Sequence, residues 1–134
     1  MVGFYAIMSK GMTNPGTHQT LIFDKVQLNA GNGYQPHSGV FIAPATGMYA
    51  FTWTMRLHTA HGPEHHSTQL IVDNNMYSAV YLSVGNSGNE NVSGTCVVLL
   101  NKGDDVFVRT TSANGGGIES DGSGVTAFGG WLIK

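Results

Sequence analysis

His58, His61, His65 and His66 form the densest group of chemically capable side chains in this sequence of 134 residues. Imidazoles so spaced can ligate zinc or copper, or gain a proton near about pH 6 and loosen a contact. His61, His65 and His66 are therefore candidate ligands of a weak transition-metal site. No His-Glu-x-x-His helix frames them and Gly62-Pro63 interrupts any helical face, so a solvated polar loop is the expected setting. A second set is Asn89, Glu90, Asn114, Glu119 and Asp121, whose amides and carboxylates suit the hydroxyls of a sugar. Tyr77 or Tyr81 would supply a ring to stack on the sugar's apolar face. Glu90 and Asp121 are also candidate calcium ligands, because calcium prefers hard oxygens. None of these residues requires a cofactor.

Catalysis is not expected. A Gly-x-Ser-x-Gly nucleophile elbow is absent. Gly122-Ser123-Gly124-Val125-Thr126-Ala127 matches a dinucleotide fingerprint in form, yet it runs into Phe128-Gly129-Gly130 with no helix to receive a phosphate. Cys96 is the single cysteine and is followed by Val97-Val98-Leu99-Leu100, so it reads as a small buried hydrophobe rather than a nucleophile. A net charge of -2 with 10% charged residues offers no basic field, which excludes nucleic acid as a partner. No apolar stretch approaches the roughly 20 residues of a membrane span. The start of the chain lacks a basic and apolar leader, so a secreted protein is expected only with its signal peptide removed. Asn91-Val92-Ser93 is a glycosylation sequon.

The elements that must position these groups are strands. Tyr49, Phe51, Trp53, Met55 and Leu57 alternate with Ala50, Thr52, Thr54, Arg56 and His58, the period of a half-buried strand. Similar runs span 4–8, 70–72, 76–84, 95–100, 105–111 and 126–133, and Asp73-Asn74-Asn75 suits a tight hairpin turn. Helical spacing is absent, so the chain is expected to form one all-β domain over 1–134, a sandwich or jelly roll. Strands of alternating sense bring loops 59–67, 85–94 and 112–125 to one end. Lys134 then falls at the other end with the turns at 44–47 and 102–104. Glu64, Glu90, Glu119 and Asp121 would make the first end an acidic crown that repels anions unless calcium binds or histidines protonate.

Phe23, Asn29, Tyr34, Phe41, Gly47, Tyr49, Phe51 and Trp53 follow a register that resembles the signature of the complement C1q globular-head family, within the tumour necrosis factor-like superfamily. Trp53 stands where that family usually has Phe or Tyr. Residues 93–108 and the closing Phe128-Gly129-Gly130-Trp131-Leu132-Ile133 extend the likeness, with Gly129 for Ser and Trp131 for Phe. The resemblance implies a ten-stranded antiparallel jelly roll, a homotrimer, and a secreted, extracellular recognition protein rather than an enzyme. Its expected ligands are carbohydrate or microbial surfaces, in the manner of a pattern-recognition lectin of innate immunity. The alternative is a cytokine-like ligand of a protein receptor or a structural trimerisation module. Some members hold calcium near the trimer apex, but the paired acids they use have no counterpart at Tyr81-Leu82-Ser83.

Overall fold

A computed structural model of the chain describes residues 1–59, 63–86 and 88–134. Ten strands follow in order: β1 Gly3–Ile7, β2 Lys25–Ala30, β3 Tyr34–Gln35, β4 Val40–Ile42, β5 Gly47–Thr59, β6 Glu64–Val72, β7 Asn75–Val84, β8 Gly88–Leu100, β9 Asp105–Gly115 and β10 Ala127–Leu132. They make two antiparallel sheets of five, ordered β2-β1-β10-β5-β8 and β3-β4-β9-β6-β7. The all-β jelly roll expected from the sequence is what forms. Alternation found seven of these strands and missed β2, β3 and β4, which are short and lie at or beside a sheet edge, where the inside-outside contrast is weak.

Between the sheets lies a core of rings. Tyr49, Phe51, Trp53, Met55 and Leu57 all point inward from β5 and are buried. Phe4 stacks on Tyr34 and Phe41 with ring centroids 5.0 and 4.8 Å apart, and meets Phe128 edge-on at 4.9 Å. A ring in this position must also place its polar end. The Tyr34 hydroxyl donates to the Phe23 carbonyl at 2.8 Å and accepts the Phe23 N–H at 3.1 Å. Burial pushes this phenol up to about 12. Asn29 completes the junction: its Nδ2 donates to the Tyr34 carbonyl at 2.9 Å while Oδ1 accepts the Tyr34 N–H at 3.0 Å. The aromatic and Asn positions of the signature thus join edge strand β2 of one sheet to edge strand β3 of the other.

Trp53 is accommodated by two neighbours. Its Nε1 donates to Thr68 Oγ1 on the facing sheet at 3.0 Å, which satisfies the buried indole N–H. Directly across the ladder lies Gly94, where an added Cβ would sit 2.5 Å from the ring. Cys96, the next inward position of β8, is half-buried against the core, and burial raises its thiol pKa. At the β6–β7 hairpin Asp73 and Asn74 take φ of 48° and 65°, the left-handed pair that a two-residue turn needs. Gly94→Ala should therefore lower stability by about 1–3 kcal/mol through overpacking. Trp53→Phe in the same chain should restore part of it. Chemical denaturation of the single and double variants checks this, and additive losses would mean that the two sites do not share the space.

Candidate functional site

The connection 116–126 between β9 and β10 folds over the outer face of the first sheet at the end opposite the chain terminus. Met48 N–H donates to the Lys134 carbonyl and Lys102 N–H to Thr46 Oγ1, so the turns at 44–47 and 102–104 do lie at the terminal end. At the other end the connection is pinned by bridges between Met12 and Ile118 and between Arg56 and Glu119. Thr126 Oγ1 accepts the Arg56 N–H at 3.1 Å and donates to the Glu119 carbonyl at 2.7 Å. Arg56 occupies an outward position of β5, yet it is only 5% exposed because the connection covers it. Its Nη1 donates to Asp121 Oδ1 at 2.7 Å and its Nε to Asn89 Oδ1 at 2.9 Å. The Ser123 N–H, chiefly, and then Arg56 hold the Asp121 carboxyl below its usual range.

On the inner side, Glu64 and His66 project from β6 toward the glycine-rich turn. His66 is fully buried, with Nε2 2.9 Å from the Gly116 carbonyl and no partner for Nδ1 among the described residues. Burial depresses its pKa first, and neighbouring His65 adds to the effect. Glu64 leaves Oε2 buried without a partner among the described residues, and burial followed by repulsion from Glu119 raises its pKa.

These contacts correct several expectations. The loops at this end are shorter than expected: Asn89 and Glu90 stand on β8, His65 and His66 on β6, and Asn114 on β9. Polar composition there marks the wet end of a paired strand rather than a loop, because a ladder tolerates polar side chains wherever one face meets water. Among the described residues, His65 and His66 do not share a solvated face. His66 is interior, consecutive His65 must face the opposite side of the strand, and His61 lies outside the described residues. Among the described residues no group of three or more His, Cys, Asp or Glu is placed to hold a metal. Calcium at Glu90 and Asp121 would have to compete with Arg56 for the Asp121 carboxylate. The acidic crown is also reduced, since Asp121 is paired and Glu64 is turned inward. Asn114 Nδ2 is taken by the Thr111 carbonyl at 2.6 Å and by Thr17 Oγ1 at 3.3 Å. Arg56 was legible only as the outward member of an alternating strand, with nothing to show that a distant connection covers it.

The C1q domain profile matches residues 3–133. The chain belongs to the C1q domain family. Multimerin-1 of Homo sapiens is 32% identical over 99% of the chain, which spans 10% of that protein. Complement C1q tumor necrosis factor-related protein 3 of Mus musculus is 27% identical over 98% of the chain, which spans 51% of it. Among solved structures, the globular domain of zebrafish complement 1qA superposes with a TM-score of 0.73 at 20% identity, covering 100% of this chain and 98% of that one. Eiger TNF from S. frugiperda superposes with a TM-score of 0.72 at 10% identity, covering 99% and 92%. The two likenesses show the shared fold. The C1q domain family is one of non-enzymatic recognition and structural modules.

Two outcomes follow for this C1q domain. Asp121→Ala should lower the thermal midpoint, because it strips the anion from a covered guanidinium. Glu90→Ala, at an exposed strand end, should stay within about 0.5 kcal/mol. Equal midpoints for the two variants would mean that Arg56 finds water instead. His66 has a depressed folded pKa, so the unfolded chain binds the extra proton, and its contribution is full above about pH 6.5 and lost as pH falls toward the folded value. Glu64, with a raised folded pKa, acts in the opposite sense: its penalty eases as pH falls through that raised value. Denaturation midpoints between neutral and mildly acidic pH should accordingly fall less in His66→Gln than in the parent chain.

Proposed function

We propose that this C1q domain is the head of a secreted, extracellular recognition protein that assembles as a homotrimer and binds carbohydrate on microbial or cell surfaces through its looped end. The observation that carries the reading is the division of the surface. Toward the terminal end, the outer face of the first sheet exposes Met48, Val97, Leu99 and Trp131, with Leu99 77% and Trp131 49% accessible. Beside it, the long edge strands β7 and β8 lie side by side, joined by Ser78 Oγ donating to the Thr95 carbonyl at 3.1 Å, and expose Met76, Tyr77 and Tyr81. Open edges and apolar faces of this size are liabilities unless covered. A second copy supplies the cover when the edge of one subunit meets the sheet face of the next. Such a heterologous contact must close into a ring to avoid a filament, and three copies suffice.

In that arrangement the looped ends of three subunits stay free and act together, so weak sites gain by avidity. Extracellular placement is supported by relatives that include complement-related proteins and the collagen alpha-1(X) chain. Among the described residues no helix is long and apolar enough to cross a membrane. A receptor ligand would use the same trimer, so the ligand decides between the two readings.

Light scattering at micromolar protein should report about three times the 14.2 kDa chain mass. Leu99→Glu should reduce it to the chain mass. A monomeric parent chain would remove the trimer. On a glycan array the trimer should bind a defined set of sugars, whereas a silent array with tight capture of one protein receptor would establish the cytokine-like alternative.

A further inference from the structure

Beside the covered arginine, a cleft of about 240 Å³ opens between the end of β1, the start of β2 and the turn 121–125. Its walls differ in chemistry. Ile7, Met8 and Val125 give it apolar surface, Lys25 brings an ammonium, and Ser9 and Asp121 bring oxygens. Ser9 Oγ donates to Asp24 Oδ2 at 2.5 Å and so meets an incoming ligand as an acceptor. Both bonds that Asp121 makes to Arg56 and Ser123 use Oδ1, which leaves Oδ2 as a second acceptor.

Charge at the cleft runs against the acidic character of the sequence around it. Asp121 is offset by Arg56 at 2.7 Å. Asp24 is held by both the N–H and the hydroxyl of Ser9, and Lys10 lies near enough to favour its charged form. Among the described residues Lys25 has no ion-pair partner. Counting Lys10, Lys25 and Arg56 against Asp24 and Asp121, the surroundings carry one positive charge more than negative ones, and that charge sits on the wall of the cleft.

We propose that this cleft binds one carboxylated sugar ring, a hexuronate-type residue at the end or edge of a glycan. The carboxylate meets Lys25, ring hydroxyls donate to Ser9 Oγ and Asp121 Oδ2, and the aliphatic face of the ring lies on Ile7 and Val125. The volume supports a single ring, being below the roughly 300 Å³ at which pockets for drug-sized ligands begin. A neutral hexose would leave the ammonium unpaired, and a simple carboxylate would leave both acceptors and the apolar wall unused. The proposal rests on the carbohydrate reading above and gives it a ligand class and an address. Because Asp121 is already neutralised by a protein cation, binding needs neither calcium nor acid.

The experiment is a titration of the trimer with D-glucuronate near neutral pH in the presence of a chelator, followed by amide resonances and calorimetry. D-glucose and acetate serve as the two partial ligands. Saturable shifts are expected at Ser9, Lys25 and Gly122 to Val125, with each partial ligand weaker by roughly tenfold or more, as loss of a charge-assisted bond implies. Lys25→Gln should bring glucuronate down to the level of glucose and Lys25→Arg should restore it, with trimer mass unchanged in both. Absence of saturation, shifts located elsewhere, parity with glucose or acetate, or indifference to Lys25→Gln would each overturn the assignment. Failure here alongside sugar binding on the array would remove the cleft and spare the carbohydrate reading. Cleft-specific glucuronate binding alongside a silent array would support both, and would confine recognition to the carboxylated ring rather than to a longer glycan.

Discussion

Everything in this domain depends on how the two sheets are joined along one edge. Asn29 on β2 exchanges two hydrogen bonds with the Tyr34 backbone on β3, and the Tyr34 hydroxyl holds both backbone groups of Phe23. These are buried or half-buried polar groups, so each is costly to leave unpaired, and satisfying them together fixes the distance between the sheets. With that distance set, Phe4 can lie parallel to the rings of Tyr34 and Phe41 and edge-on to Phe128. Trp53 fits on the same terms, since its ring takes the space of an absent Gly94 side chain and its N–H reaches across to Thr68.

The opposite edge is built differently, and it is the surface that the proposed trimer would cover. There β7 and β8 are the terminal strands of their sheets and run side by side, linked by Ser78 Oγ donating to the Thr95 carbonyl. Apolar side chains gather on this edge and on the adjoining sheet face, whereas charged and amide groups gather at the far end of the same face. One surface is thus suited to a like subunit and the other to water and ligand. In the proposed trimer this separation would let assembly and recognition use different residues of one small scaffold.

At the looped end, electrostatics is decided by pairing rather than by composition. Four acids and no lysine or arginine lie within 59–67, 85–94 and 112–125, which by composition suggests a negative field. Arg56 enters from β5 and neutralises Asp121, Glu64 turns inward beneath the glycine-rich turn, and Lys25 approaches from the start of β2. Coulomb interactions at contact distance outweigh a diffuse count of charges, because salt screens anything beyond about 10 Å.

The sequence by itself determined the strands with strict alternation, the Asp73-Asn74 turn, the ring positions of the core and the family. Each of these rests on short-range rules, namely the period of a strand, the tolerance of Asn and Asp for positive φ, and the fixed spacing of aromatic residues. It also determined which turns share an end, since alternating strand direction requires only counting. The tertiary structure alone decided which polar residues are ligand-ready and which are already used. Asn89, Asn114 and Asp121 looked free by type, but their partners, Arg56, Thr111 and Thr17, include residues 33, 65 and 97 positions away in the chain. Lys25 and Ser9 carry no motif and become neighbours of Asp121 only because β1, β2 and the last connection meet at one corner. No local pattern encodes such a meeting, because it depends on how far a covering connection reaches once the sheets have packed.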